Sequence, residues 1–234
     1  MSGAAGIDRA RTARAHGPLP TLLVGLTIVT GLVDAFSYLS LGHVFVANMT
    51  GNLVFFGFGL AGTGSVEIAG SLVAILAFAL GAAMGGRWAL RKAPHRGHLL
   101  AAAAATQSGL LLAAALIAQA DGVGRAPVRL ILIALLAVAM GGQNAVARRL
   151  AVPDLTTTVL TLTVTGLVAD ATPWSVRARR SASILAMLGG ALAGGLLLRW
   201  VGPAAPLWVA AAILVACSVA AHVATLRPHA PAWR

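Results

Sequence analysis

Six stretches of this chain stay apolar for about 20 residues each, and nothing else limits its fold so strongly. They run Thr21–Leu41, Ile68–Leu90, Leu99–Ala120, Val128–Ala147, Ser181–Leu198 and Ala204–Thr225. A helix rising ~1.5 Å per residue needs roughly that length to cross a ~30 Å hydrocarbon layer. Inside such a layer every backbone N–H and C=O must find its partner within the protein, which a helix does by itself. Composition agrees: only 10% of residues are charged, against about 25% in a soluble domain. The chain is predicted to be an all-α polytopic membrane protein with the lipid bilayer as its first partner. The net charge of +11 does not point to nucleic acid, because the cations sit in short clusters between apolar runs, as in the loops of membrane proteins. The one cysteine, Cys217, lies inside an apolar run. It reads as a small buried hydrophobe, with no disulfide, no thiolate metal centre and no cofactor implied.

Two shorter, more polar runs remain, Val44 to Ala61 and Leu155 to Ala169, the second holding six threonines. Charge counting decides whether they cross. If neither does, fourteen of the 17 Lys and Arg lie on the side of the N-terminus and only Arg125, Arg129 and Arg199 on the other. If both do, the division falls to ten against seven. The positive-inside rule prefers the first. The expectation is six transmembrane helices plus two short broken or re-entrant segments, in one membrane domain over 20–226. It is flanked by cytoplasmic tails, 1–19 and 227–234, and the N-terminal one reads as a tail and not a cleaved signal.

The chain also repeats itself. Ile75–Gly86 (ILAFALGAAMGG) and Ile184–Gly195 (ILAMLGGALAGG) share seven of twelve positions at an offset of 109. At nearly the same offset Gly31-Leu-Val-Asp34-Ala35 lies over Gly141-Gly-Gln-Asn144-Ala145, and with one inserted residue Met49-Thr50 lies over Leu160-Thr161. Halves of about 20–120 and 127–226 then hold three spans each, so the second half is inverted relative to the first. Matched loops differ in charge as inversion requires: none near Glu67 against Arg177, Arg179 and Arg180, and four cations at 87–96 against Arg199 alone. In inverted 3+3 repeats, interrupted segments at matched positions point to a binding site near the bilayer midplane.

Those segments carry the candidate site. Asp34 lies about 13 residues into the first span, roughly 20 Å along a helix. A carboxylate at that depth costs on the order of 3 kcal/mol on insertion scales, which makes it a functional hypothesis; a structural hydrogen bond to a neighbour is the alternative. Asn144, preceded by Gln143, is its counterpart. Asn48, Thr50 and Asn52 in one short run, and Thr158, Thr161 and Thr163 in the other, supply neutral donors and acceptors, although threonine also bonds back to its own helix. Together Asp34, Asn48, Thr50, Asn52, Gln143, Asn144, Thr158 and Thr161 suggest a site for an unidentified small solute or ion, with Asp34 carrying a proton or ligating a cation. His43 beside the patch reads as an interfacial residue, and Thr106-Gln107-Ser108 as a helix–helix contact.

Gly81 and Gly85 match Gly190 and Gly194 as small residues four apart, which let helix backbones approach closely. They serve either an internal seam between halves or a homodimer. Gly57-Phe-Gly-Leu-Ala-Gly62 copies a dinucleotide fingerprint without the βαβ context that gives it meaning, and Asn48-Met-Thr50 copies a glycosylation sequon inside an apolar run. No hydrolase or metalloprotease motif is present. The expectation is a secondary transporter or channel-like carrier and not an enzyme, with a non-transporting scaffold or sensor as the alternative.

GLVDAFSYLSLGHVFVANMTGNLVFFG and MGGQNAVARRL, the latter followed by the threonine-rich run, resemble the two motifs of the YoaK-like family. The chain departs from the second motif at Thr161-Leu162, where the family pattern has threonine-glycine. The resemblance implies a bacterial inner-membrane protein of about six spans, and implies no reaction or substrate.

Overall fold

The computed structural model describes residues 17–63, 68–92, 95–152 and 160–226. Among them every regular element is a helix: α1 Leu19–Ser40, α2 Met49–Leu60, α3 Ile68–Lys92, α4 Arg96–Asp121, α5 Ala126–Leu150, α6 Leu160–Ala169, α7 Trp174–Trp200 and α8 Ala205–Thr225. All but α2 and α6 are long and apolar enough to cross a membrane. The protein is an all-α multi-pass membrane protein with six such helices. With 12 and 10 residues, α2 and α6 reach only ~18 and ~15 Å, short of a ~30 Å core.

Proline stands in the first turn of α1, α5 and α8, where its missing N–H would have no partner anyway. Helix α4 stops at Gly122, whose φ of 68° ends the α-helical path. The spans read from hydropathy match these helices in their apolar parts. Helix α7 nevertheless begins at Trp174 instead of Ser181. Arg177, Arg179 and Arg180 are good helix formers that a hydropathy count leaves out.

The most extensive packing is between α3 and α5, α1 and α7, and α4 and α8; α4–α5 and α1–α8 come next, then α2–α3 and α6–α7. Exchanging α1–α4 for α5–α8 maps this set of pairs onto itself. Glycine makes the two closest crossings. A Cβ on Gly81 would strike the Val138 carbonyl, one on Gly85 would lie 2.9 Å from Gly142 Cα, and one on Gly141 would strike the Phe78 carbonyl. The α1–α7 crossing repeats this with Gly190 against the Ile28 carbonyl, Gly194 against Ala35 Cβ at 2.8 Å, and Gly31 against the Met187 carbonyl. Contacts correspond at 109 residues on α3 and α7 and at 110 on α1 and α5. Since lipid removes the hydrophobic drive between helices, backbone approach of this kind is what holds them. The four glycines of the repeated motif are thus consumed within one chain.

Chain direction bears on the number of crossings. Ser218 Oγ donates to the Ala101 carbonyl at 2.8 Å, and the His98 and His222 rings lie 6.2 Å apart. The start of α4 therefore meets the end of α8, and the two are antiparallel. As third and sixth of six crossings they must be. Were α2 and α6 also to cross, α4 and α8 would be fourth and eighth and run the same way. Helices α1 and α5 are the most enclosed, with Phe36, Leu32, Leu132, Leu136 and Met140 fully buried between their neighbours.

Candidate functional site

The most enclosed helix is also the one with a polar face. Thr27, Thr30, Asp34 and Ser37 are all buried on α1. Their spacing of three, four and three keeps them on one side of a helix. Thr27 Oγ1 donates to the Leu23 carbonyl at 2.9 Å, Thr30 Oγ1 to Leu26 at 3.0 Å, and Ser37 Oγ to Asp34 at 3.2 Å. The stripe covers eleven residues, ~15 Å of helix. It lies on the face from which α1 meets the loop that follows it.

At the stripe's centre Asp34 holds that loop. Its Oδ1 accepts from the backbone N–H of Val46 at 3.1 Å and of Ala47 at 2.9 Å, while Oδ2 accepts from Asn48 Nδ2 at 2.5 Å. Asn52, fully buried, takes the adjoining backbone on both sides: its Oδ1 accepts from Phe45 N–H at 2.9 Å and its Nδ2 donates to the Phe45 carbonyl. These bonds supply partners for amides that lipid could not satisfy. The loop reverses just past α1 through Gly42 and His43, with φ of 90° and 61°; the second is uncommon for a residue with a side chain. Tyr38 braces the turn, 5.1 Å from the His43 ring and stacked on Phe45 at 4.9 Å, and Phe45 stacks on Phe55 at 6.1 Å.

The depth of this arrangement follows from the bonds. Asp34 lies six residues before Ser40, ~9 Å back along the helix. Residues 46–48 therefore fold back by that distance, and α2 starts at the level of Asp34. It then runs to the start of α3, where Gly59 abuts the Ile68 side chain. The segment dips in and returns, as a re-entrant hairpin does.

One turn from Asp34 along the stripe a second polar group joins. Gln143 Nε2 on α5 donates to Thr30 Oγ1 at 3.0 Å, and Gln143 Oε1 accepts from Gln107 Nε2 on α4 at 2.7 Å. The helix–helix contact expected of Gln107 is thus made, with Gln143. A file of buried hydrogen bonds links α4, α5 and α1 through the bundle.

Of the residues picked from sequence, Asp34, Asn48 and Asn52 come together around the loop, and Gln143 joins the same stripe through Thr30. Thr50 is exposed on α2 and Thr161 on α6, away from that cluster. Asn144 Nδ2 donates to the Met140 carbonyl of its own helix at 2.9 Å. Thr158 lies outside the described residues. Thr27, Thr30 and Ser37 escaped the sequence reading, although their helical spacing around Asp34 was there to be read. No group of three metal-ligating side chains occurs among the described residues. Three of the roughly four acceptor positions of the Asp34 carboxylate already face N–H donors, so in this conformation it serves as a fastener for the loop.

Comparison with known proteins gives a family and one curated relative. The family described as "Protein of unknown function (DUF1275)" matches residues 22–220. The "UPF0700 transmembrane protein YoaK" of Bacillus subtilis (strain 168) is 37% identical over 153 residues. That match covers 64% of this chain and 66% of the relative, slightly under two thirds of its length. No solved structure matches.

Proposed function

The chain belongs to this DUF1275 family of multi-pass membrane proteins of unknown function, and from that premise we propose that it is a small secondary carrier. The observation that carries the reading is the buried polar stripe of α1, leading from the Thr30–Gln143–Gln107 file to the loop held by Asp34. Such a stripe is costly in a membrane interior and is expected where a polar solute must pass.

The two halves form an inverted 3+3 repeat in this reading. Supporting it are the exchange of helix pairs, the matched glycine crossings, and the unequal cation content of matched loops. The termini lie on the cytoplasmic side of a bacterial inner membrane, supported by the cation distribution. The re-entrant hairpin then enters from the outer side, and Asp34 is its latch. As a carboxylate Asp34 accepts all three N–H donors. A proton on Oδ2 would set an O–H against the Asn48 N–H and release that side chain, leaving Oδ1 of the neutral acid as a weaker acceptor for the Val46 and Ala47 N–H groups. Proton arrival thus loosens the loop's hold through that one carboxylate. A site of this make-up needs no chemistry on the solute, so the reading is of a carrier and not an enzyme.

The test uses purified protein in liposomes loaded with a fluorescent pH indicator. A panel of neutral amino acids, amides, small organic acids, Na+ and K+ is added to the parent and to Asp34→Asn. The expected result is solute-dependent proton movement in the parent and none in the variant, with both eluting as folded protein. A parent silent to every solute, with no uptake of any, would defeat the carrier reading in favour of a scaffold.

A further inference from the structure

Between α3, α4 and α5 lies a cavity of about 270 Å³, lined by Met84, Trp88, Ala103, Leu110, Val138 and other apolar residues, with Thr106, Gln107 and Gln143 among them. Met84 is 56% exposed and Thr106 is exposed, so the cavity opens on the bilayer side of the seam between α3 and α4. Among the described residues no ionisable side chain lines it.

The hydrogen bonds around it leave one end loose. Thr30 spends its proton on the Leu26 carbonyl, so its oxygen can only accept from Gln143. That turns the Gln143 amide nitrogen toward Thr30 and its oxygen toward Gln107, which must then present its own nitrogen. The same nitrogen lies 3.4 Å from Met140 Sδ. Each amide's orientation follows from the one before it. Gln107 Oε1 is left as an acceptor with no hydrogen bond in the described protein, on a side chain only 4% exposed that lines the cavity. Thr106 does not serve it, since its hydroxyl donates to the Ala102 carbonyl.

We propose that this cavity binds an uncharged, chain-like molecule from the bilayer that carries one terminal hydroxyl, with the hydroxyl donating to Gln107 Oε1. A charged head would be desolvated with no counter-charge beside it. An apolar wall with a single placed polar group is the usual make-up of a small-molecule site. The volume is that of about nine waters, which suits a medium-length chain and excludes a whole phospholipid. Larger or apolar residues stand at the matching positions of α1: where Gly142, Gln143 and Val146 of α5 line the cavity, the counterparts are Leu32, Val33 and Phe36, all fully buried. Binding does not depend on whether the protein moves a solute.

The probe is a medium-chain alcohol bearing a photoreactive diazirine, compared with its methyl ether, on the purified protein in lipid nanodiscs. The alcohol is expected to label peptides containing Met84, Ala103 and Leu110 about tenfold more than the ether, and excess octanol to compete. Gln107→Leu should bring alcohol labelling down to the ether's level. Ala103→Leu, which fills the cavity and leaves the amides in place, should abolish both. Equal labelling by alcohol and ether in the parent, or equal labelling of the lipid-facing Leu185 and Leu188 on α7, would mean partition into the bilayer only and would overturn the proposal. So would unchanged labelling in a folded Ala103→Leu protein.

Discussion

The two halves share a plan and differ in how each fixes its short helix. In the first, a buried carboxylate and a buried amide capture the backbone at 45–47, and aromatic rings cover the turn. In the second, Arg180 of α7 reaches across to α6, donating to the Gly166 carbonyl and pairing with Asp170 at 2.9 Å. Asp170 is half exposed, so the second fastening lies at the edge of the bundle and the first inside it. Asn144, the counterpart of Asp34, bonds to its own helix. Backbone crossings tolerate no side chain and so stay alike in the two halves. Polar groups are free to diverge once the crossings are made, and they have diverged into a latched loop beside α1 and a laterally open cavity beside α5.

The largest effect expected is all-or-none. With Cys217→Ala as background, Thr63→Cys should react with an impermeant thiol reagent only from outside the cell, and Ala171→Cys only from inside. Labelling from the same side would break the inverted relation between the halves. Next come the crossings. Gly31→Val and its counterpart Gly141→Val should each lower stability by about 3 kcal/mol or prevent folding, since overpacking against backbone cannot relax. Gly189→Ala, with open space around its added Cβ, should leave thermal unfolding in detergent unchanged. A similar cost at Gly189 would remove the glycine contacts as the cause.

Smaller but more telling is the contrast between Asp34 and Asn144. Asp34→Ala strands two buried backbone amides, at roughly 1–3 kcal/mol each, and hydrogen exchange should accelerate at residues 45–48. Asn144→Ala should cost under about 1 kcal/mol. Equal losses would mean that the halves use these positions alike. Arg180→Gln should show as faster exchange confined to α6, since Arg180, only 13% exposed, holds the Gly166 carbonyl and the half-exposed Asp170 there. Exchange spreading through α7 would give that arginine a larger part than its geometry indicates.

Much of this was legible from residues alone where the physics is local or periodic. Hydrocarbon thickness sets the length of a span, so six runs of apolar residues announced six helices. The positive-inside rule separated six crossings from eight before the antiparallel contact of α4 with α8 did so by geometry. Matched glycines announced the two crossings, though not which helix each would meet. Asp34, Asn48 and Asn52 were picked as one cluster because polar groups in an apolar run must find partners nearby. Thr50 and Thr161 were picked by the same rule and face away from that cluster, since composition carries no direction around a helix.

What the sequence by itself determined was the membrane, the six apolar spans, the glycine pattern shared by α3 and α7, and the small set of polar residues that had to be buried. Tertiary structure decided what those residues do. Whether Asp34 faces a solute, a cation or a backbone amide depends on where a loop twelve residues later returns, and no local propensity sets that. The pairing of Gln143 with Thr30 joins residues 113 apart in sequence. Only the crossing of α1, α4 and α5 brings their hydrogen bonds into one file and leaves its last acceptor beside a cavity.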